Sequence, residues 1–163
     1  MIVVADTSVL INLCAVRHGD LVCRLFREVL IPPEVASEFA RLAASVPRFS
    51  GLKLPVGIRL QAAASPVPAV QAKAGLDPGE AAALSLAVEI HADAVLVDER
   101  RGYEVAIQLG LRAIGLLGLL LQAKSIGIVP AVRPVLDALR HDAGFWLSER
   151  LREQVLKIAG EAA

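Results

Sequence analysis

MIVVADTSVLIN, residues 1–12, is the stretch whose reading decides the fold class. Ile2, Val3 and Val4 make an unbroken β-branched run, the pattern of a strand buried on both faces of a parallel sheet. The run stops at Asp6, and Thr7 and Ser8, residue types suited to a helix N-terminus, follow at once. Val9, Leu10 and Leu13 then continue at helical spacing. A carboxylate therefore stands where a strand ends and a helix begins, the edge of an open α/β sheet at which ligands bind.

Working outward, the same alternation recurs. Leu21, Leu25 and Phe26 suggest a short second helix, and Val29 to Ile31 a brief strand stopped by Pro32 and Pro33. Pro33 suits the first position of a helix whose apolar face carries Val35, Phe39, Leu42 and Val46. After a loop over Pro47 to Pro55, Gly57 to Ala63 reads as a short strand closed by Ser65-Pro66 and Pro68. Asp77-Pro78-Gly79-Glu80 opens an Ala- and Leu-rich helix running to about His91. Ala94 to Val97 is a buried strand ending in Asp98, Glu99 to Leu109 a helix ended by Gly110, and Arg112 to Ile114 a last short strand. Helices over 116–124, 132–140 and 147–158 complete the chain. The expected architecture is three-layer α/β/α, with a central, mostly parallel sheet and a helical C-terminal third.

Length and composition agree. The 163 residues, 55% hydrophobic but only 4% aromatic, suit one domain spanning 1–163 with an Ala, Val, Leu and Ile core. Lys plus Arg (17) equals Asp plus Glu (17), so no global positive field advertises nucleic acid. Cys14 and Cys23 form no CxxC pair and read as reduced, mostly buried thiols. His18, His91 and His141 show no zinc-like spacing. The most apolar stretch, Ala113 to Leu121, is far shorter than the roughly 20 residues of a membrane span, and nothing at the N-terminus resembles a signal peptide. A soluble, cytoplasmic protein is expected.

Four acids carry the chemistry. Asp6 and Asp98 each end a buried strand; on neighbouring strands both would meet at one sheet edge, where like charges repel unless a cation joins them. Glu80 fits a capping box, yet shares its helix face with Leu84, Ala87, Val88 and His91. Glu38 borders an apolar stripe and forms a like-charge i, i+4 pair with Glu34. Carboxylates from separate segments converging on one edge suit Mg²⁺ or Mn²⁺.

The constellation resembles the PIN-domain family of metal-dependent ribonucleases over nearly the whole chain. Asp6-Thr7-Ser8 with Leu10-Ile11 resembles the family's first strand and acid. Ile31-Pro32 with Val35 and Glu38 is similar to its P-x-x-V-x-x-E helix. Leu76-Asp77-x-Gly79-Glu80, Val97-Asp98-Glu99 and Gly115-x-x-Gly118-x-Leu120 resemble a VapC-toxin-like branch of small prokaryotic PIN proteins. That branch often has Arg where Tyr103 stands and Thr or Ser where Leu116 stands, so a guanidinium and a hydroxyl suited to phosphate contacts are absent here.

The resemblance implies that Asp6, Glu38, Glu80 and Asp98 are catalytic metal ligands, with Glu99 an additional acid and Ser8 a partner of Asp6. It implies hydrolysis of RNA phosphodiester bonds with Mg²⁺ or Mn²⁺, and a toxin paired with an antitoxin protein. Arg100 and Arg101 either hold substrate phosphates or form a solvated helix face. The competing reading is a non-cleaving phosphoacceptor or interaction module built on Asp6, Asp98 and Glu99, although no strand-end lysine with a hydroxyl residue accompanies them. A haloacid-dehalogenase-type phosphatase fits less well, because position 8 is Ser rather than Asp. Leu147, Leu151, Val155 and Ile158, at helical spacing, form either core or a homodimer interface.

Overall fold

The computed structural model of the chain describes residues 1–65, 70 and 75–161. Five strands form one parallel sheet in the order β3-β2-β1-β4-β5: β1 Ile2–Ala5, β2 Glu28–Ile31, β3 Arg59–Leu60, β4 Ala94–Leu96 and β5 Ala113–Ile114. Val3, Val4 and Ala5 are consecutive and all fully buried, as are Ala94, Val95 and Leu96. Because successive side chains of a strand point to opposite faces, both faces of the sheet must be covered. That is what a continuous apolar run, rather than an alternating one, encodes.

The helices among the described residues are α1 Thr7–Ala15, α2 Leu21–Leu25, α3 Pro33–Ser45, α4 Pro78–Glu89, α5 Arg100–Gln108, α6 Leu116–Ser125, α7 Arg133–His141 and α8 Glu149–Ile158. A 3-10 turn, Pro47–Phe49, lies within the expected loop. The expected strand over 57–63 pairs only at Arg59 and Leu60, an exposed edge where Arg59 pairs with Glu28. Pro66 and Pro68, expected to close it, lie outside the described residues.

Strand order places the site. From β1 the chain steps outward to β2 and β3, then returns to lay β4 on the other side of β1. The β1/β4 seam is therefore the topological switch point, where a crevice opens at the carboxyl ends of the strands. Ala5 pairs with Leu96 in register, and the Asp6 N–H donates to the Leu96 carbonyl at 2.9 Å. Asp6 and Asp98 thus leave neighbouring strands at the same edge.

Two expectations change at the periphery. Leu147 and Val155 are buried, but Leu151 and Ile158 are 41% and 73% exposed, so their shared stripe is not a continuous core face. The helix buries Val155 and Leu156 instead. Cys14 and Cys23 are free thiols as expected but only half-buried. Burial still pushes the Cys14 thiol up to about 11, which keeps it protonated at neutral pH. No helix among the described residues is long and apolar enough to cross a membrane.

Candidate active site

Asp6 occupies the N-cap position of α1 but makes no side-chain capping hydrogen bond, so its cap reading does not account for it. It is 2% exposed, and its Oδ1 is buried without a hydrogen-bond partner among the described residues. Burial, reinforced by Asp77, Glu38 and Glu99 and opposed by the Thr7 backbone, pushes its carboxyl up to about 7. A structural carboxylate would have its lone pairs satisfied; this one does not.

Glu38 reaches the same place from α3. A Cβ built on Gly79 would stand 2.9 Å from Glu38 Oε2, 3.3 Å from Asp77 Oδ1 and 3.6 Å from Asp6 Oδ1. Three carboxylate oxygens from three segments therefore surround one point at the first turn of α4, held open by a glycine. Burial first and Asp77 next raise the Glu38 carboxyl, with Arg41 pulling the other way.

Glu80 both caps its helix and lies buried at the start of it. The capping box is complete: the Glu80 N–H donates to Asp77 Oδ1 at 2.7 Å, and the Asp77 N–H donates to Glu80 Oε1 at 3.4 Å. Yet Glu80 is only 3% exposed and its Oε2 has no partner among the described residues. Burial, then Asp77, pushes its carboxyl up to about 8, with Asp6 adding to the repulsion.

Asp98 is oriented differently. Its Oδ1 accepts from the Leu116 N–H at 3.1 Å, at the first turn of α6. Burial raises its carboxyl, and that backbone contact lowers it. Glu99, on the rim, is exposed but lies within the field of Asp6 and Glu38. Ser8 is half-buried, its hydroxyl without a partner among the described residues. Arg100 and Arg101 both pair with Glu104 on the exposed face of α5, at 3.2 and 3.6 Å.

Asp77 is the acid that sequence reasoning took only as a cap. Its position directly before Pro78-Gly79 was the available signal: a residue beside a glycine stands where backbone and neighbouring side chains can approach closely.

The donor set is all hard oxygen, matching Mg²⁺ or Mn²⁺ rather than zinc. Among the described residues no group of three or more His, Cys, Asp or Glu is arranged to hold a metal ion as it stands. Unneutralised carboxylates repel one another, and Glu80 is diverted into its capping box, so the chemistry fits while the ligand shell is not drawn together.

Residues 2–161 match the family model DUF3368, described as a PIN domain. This chain belongs to the PIN-domain family. PIN domains are in general nucleases that use divalent metals. No curated protein and no solved structure matches the chain significantly.

Proposed function

We propose that this PIN domain is an endoribonuclease that hydrolyses RNA phosphodiester bonds with Mg²⁺ or Mn²⁺. The observation that carries the reading is the crowding of Asp6, Glu38, Asp77 and Glu80 at the switch point, with Asp6 Oδ1 and Glu80 Oε2 buried and unsatisfied. Burying carboxylates together costs stability, and a site for hard cations explains why the cost is carried.

Asp6, Glu38, Glu80 and Asp98 would hold the ion. When bound, the ion supplies a water activated at neutral pH and neutralises charge on the phosphoryl oxygens. The chain's own work is to exclude bulk water around Asp6 and Glu80 and to hold their carboxylates at the end of rigid elements. Ser8, two residues beyond Asp6, would orient it. Arg100 and Arg101 would exchange Glu104 for substrate phosphate, an exposed pairing that costs little to break.

The likeness to the toxin branch supports a cytoplasmic toxin with a cognate antitoxin protein, and the exposed Leu151 and Ile158 on α8 support a homodimer. The test offers single-stranded RNA, structured RNA and matched DNA with Mg²⁺, Mn²⁺ or EDTA. The reading expects internal RNA cuts that need metal. Cleavage of DNA alone, or cleavage undiminished by EDTA, would overturn it.

A further inference from the structure

Beside the acids lies a groove of about 300 Å³ that the catalytic reading does not use. Ser8, Glu38 and Glu99, which line it, also belong to the candidate site and are taken as its inner end; Arg48, Phe49 and Trp146, which line it outside that site, are its outer end. It therefore shares part of its lining with the candidate active site.

The outer end is built, not incidental. Between α7 and α8 the chain forms neither helix nor strand, with Ala143 and Leu147 buried, Phe145 half-buried, and Gly144 and Trp146 exposed. Ala143 and Leu147 anchor the segment, and Trp146 between them is 83% exposed. This is the chain's single tryptophan. An isolated indole so fully solvated gains nothing for the fold.

Arg48 is held over the same groove. Its guanidinium lies 5.0 Å from the Phe49 ring centroid, and it packs against Gly144, where a Cβ would meet Nε at 3.1 Å. Gly144 also has φ +68, a conformation that L side chains rarely adopt. Among the described residues Arg48 forms no ion pair with a carboxylate. A planar cation fixed on an aromatic ring beside an open indole suits a base and its phosphate.

We infer that this groove is a nucleotide subsite, in which a base of single-stranded RNA stacks on Trp146 and its phosphate meets Arg48, next to the phosphate to be cut. The inference rests on the nuclease reading for its substrate. The charge layout supports nucleic acid: acids at the inner end require a cation before a phosphate can approach, while Arg48 at the outer end needs none. A protein ligand would leave the gradient from acids to Arg48 unused.

The single tryptophan makes the test direct. A six-nucleotide single-stranded RNA is titrated into wild type in EDTA, where no cutting occurs, and indole fluorescence is followed; polyphosphate serves as a polyanion without bases. The expected result is a saturable change with RNA and none with polyphosphate. Trp146→Ala, followed by anisotropy of labelled RNA, binds roughly 5- to 100-fold more weakly, and Trp146→Phe recovers most of the loss. Arg48→Ala lowers the salt slope of binding by about 0.7, one single-strand phosphate contact. In the cleavage assay Trp146→Ala raises KM and leaves kcat and Tm near wild type, which a merely structural residue would not do.

An equal response to polyphosphate, or unchanged affinity in Trp146→Ala, overturns the subsite even if wild type cleaves RNA. A base-dependent response in a protein that cleaves nothing supports the subsite and overturns the nuclease reading instead.

Discussion

Gly102 packs on Glu80 so closely that a Cβ there would stand 2.5 Å from Glu80 Oε2. Helix α5 can cross the start of α4 only because position 102 has no side chain. The atom in the way ends a flexible side chain, but Glu80 is buried and held by its capping box, so it has little room to move.

Gly102→Ala should therefore push Glu80 out of place. The gain of about 0.5–1 kcal/mol usual for Gly to Ala inside a helix is cancelled or reversed, and Mn²⁺ affinity falls at least tenfold. Gly118→Ala, in α6, is the control. Its Cβ would meet only Ile114 Cγ2 at an ordinary 3.6 Å, so thermal melting should show the full gain. Calorimetry with Mn²⁺ and melting curves on both variants check the contrast.

The raised carboxyls set a pH dependence. Asp6 moves from 3.8 to about 7 on folding, so the folded state holds its proton more tightly than the unfolded chain. Stability then falls as pH rises from about 4 through 7, by a few kcal/mol for this group alone. Asp6→Asn has no charge to bury. Its Tm should exceed wild type by several degrees at pH 8, by less at pH 5, and match it only near pH 4. A wild-type Tm flat across that range would contradict the assignment.

Divalent metal should act in the opposite sense. Mn²⁺ at pH 8 stabilises the folded state by binding it alone, and at pH 6 it must displace protons from Asp6 and Glu80. Titration in buffers of different ionisation enthalpy reads the released protons. Wild type should release about one or more per ion, and Asp6→Asn fewer.

Asp98 separates into a structural and a chemical share. Its Oδ1 accepts from Leu116 N at the start of α6. Asn keeps an acceptor there, whereas Ala leaves the N–H bare and costs about 1 kcal/mol. Asp98→Asn should hold the wild-type Tm while losing cleavage; Asp98→Ala should lose both.

The parts of this molecule that could be read from the chain are those written in contiguous residues. β1 and β4 were legible because unbroken apolar runs mean burial on both faces, and the α4 capping box because Asp77, Pro78 and Glu80 interact across one turn. The placement of Asp6 and Asp98 on neighbouring strands followed once the strand order was known. Other features depend on tertiary neighbours that no local pattern encodes. Asp77 joins the acids only because α3 brings Glu38 to Gly79. Asp98 faces Leu116 because β5 delivers α6 beside β4. Leu151 and Ile158 match the helical spacing of Leu147 and Val155, but the neighbouring elements cover only part of that stripe. Trp146 could not be assigned an orientation until its buried neighbours were known.

The most direct test of the central claim is cleavage of single-stranded RNA by wild type and Asp6→Asn, side by side, in Mn²⁺ and in EDTA. The account predicts cutting by wild type in Mn²⁺ alone, and at least a hundredfold loss in an Asp6→Asn protein that is as stable as wild type or more so. Cutting by Asp6→Asn at the wild-type rate, or a wild type that binds Mn²⁺ and leaves every RNA intact, would contradict it.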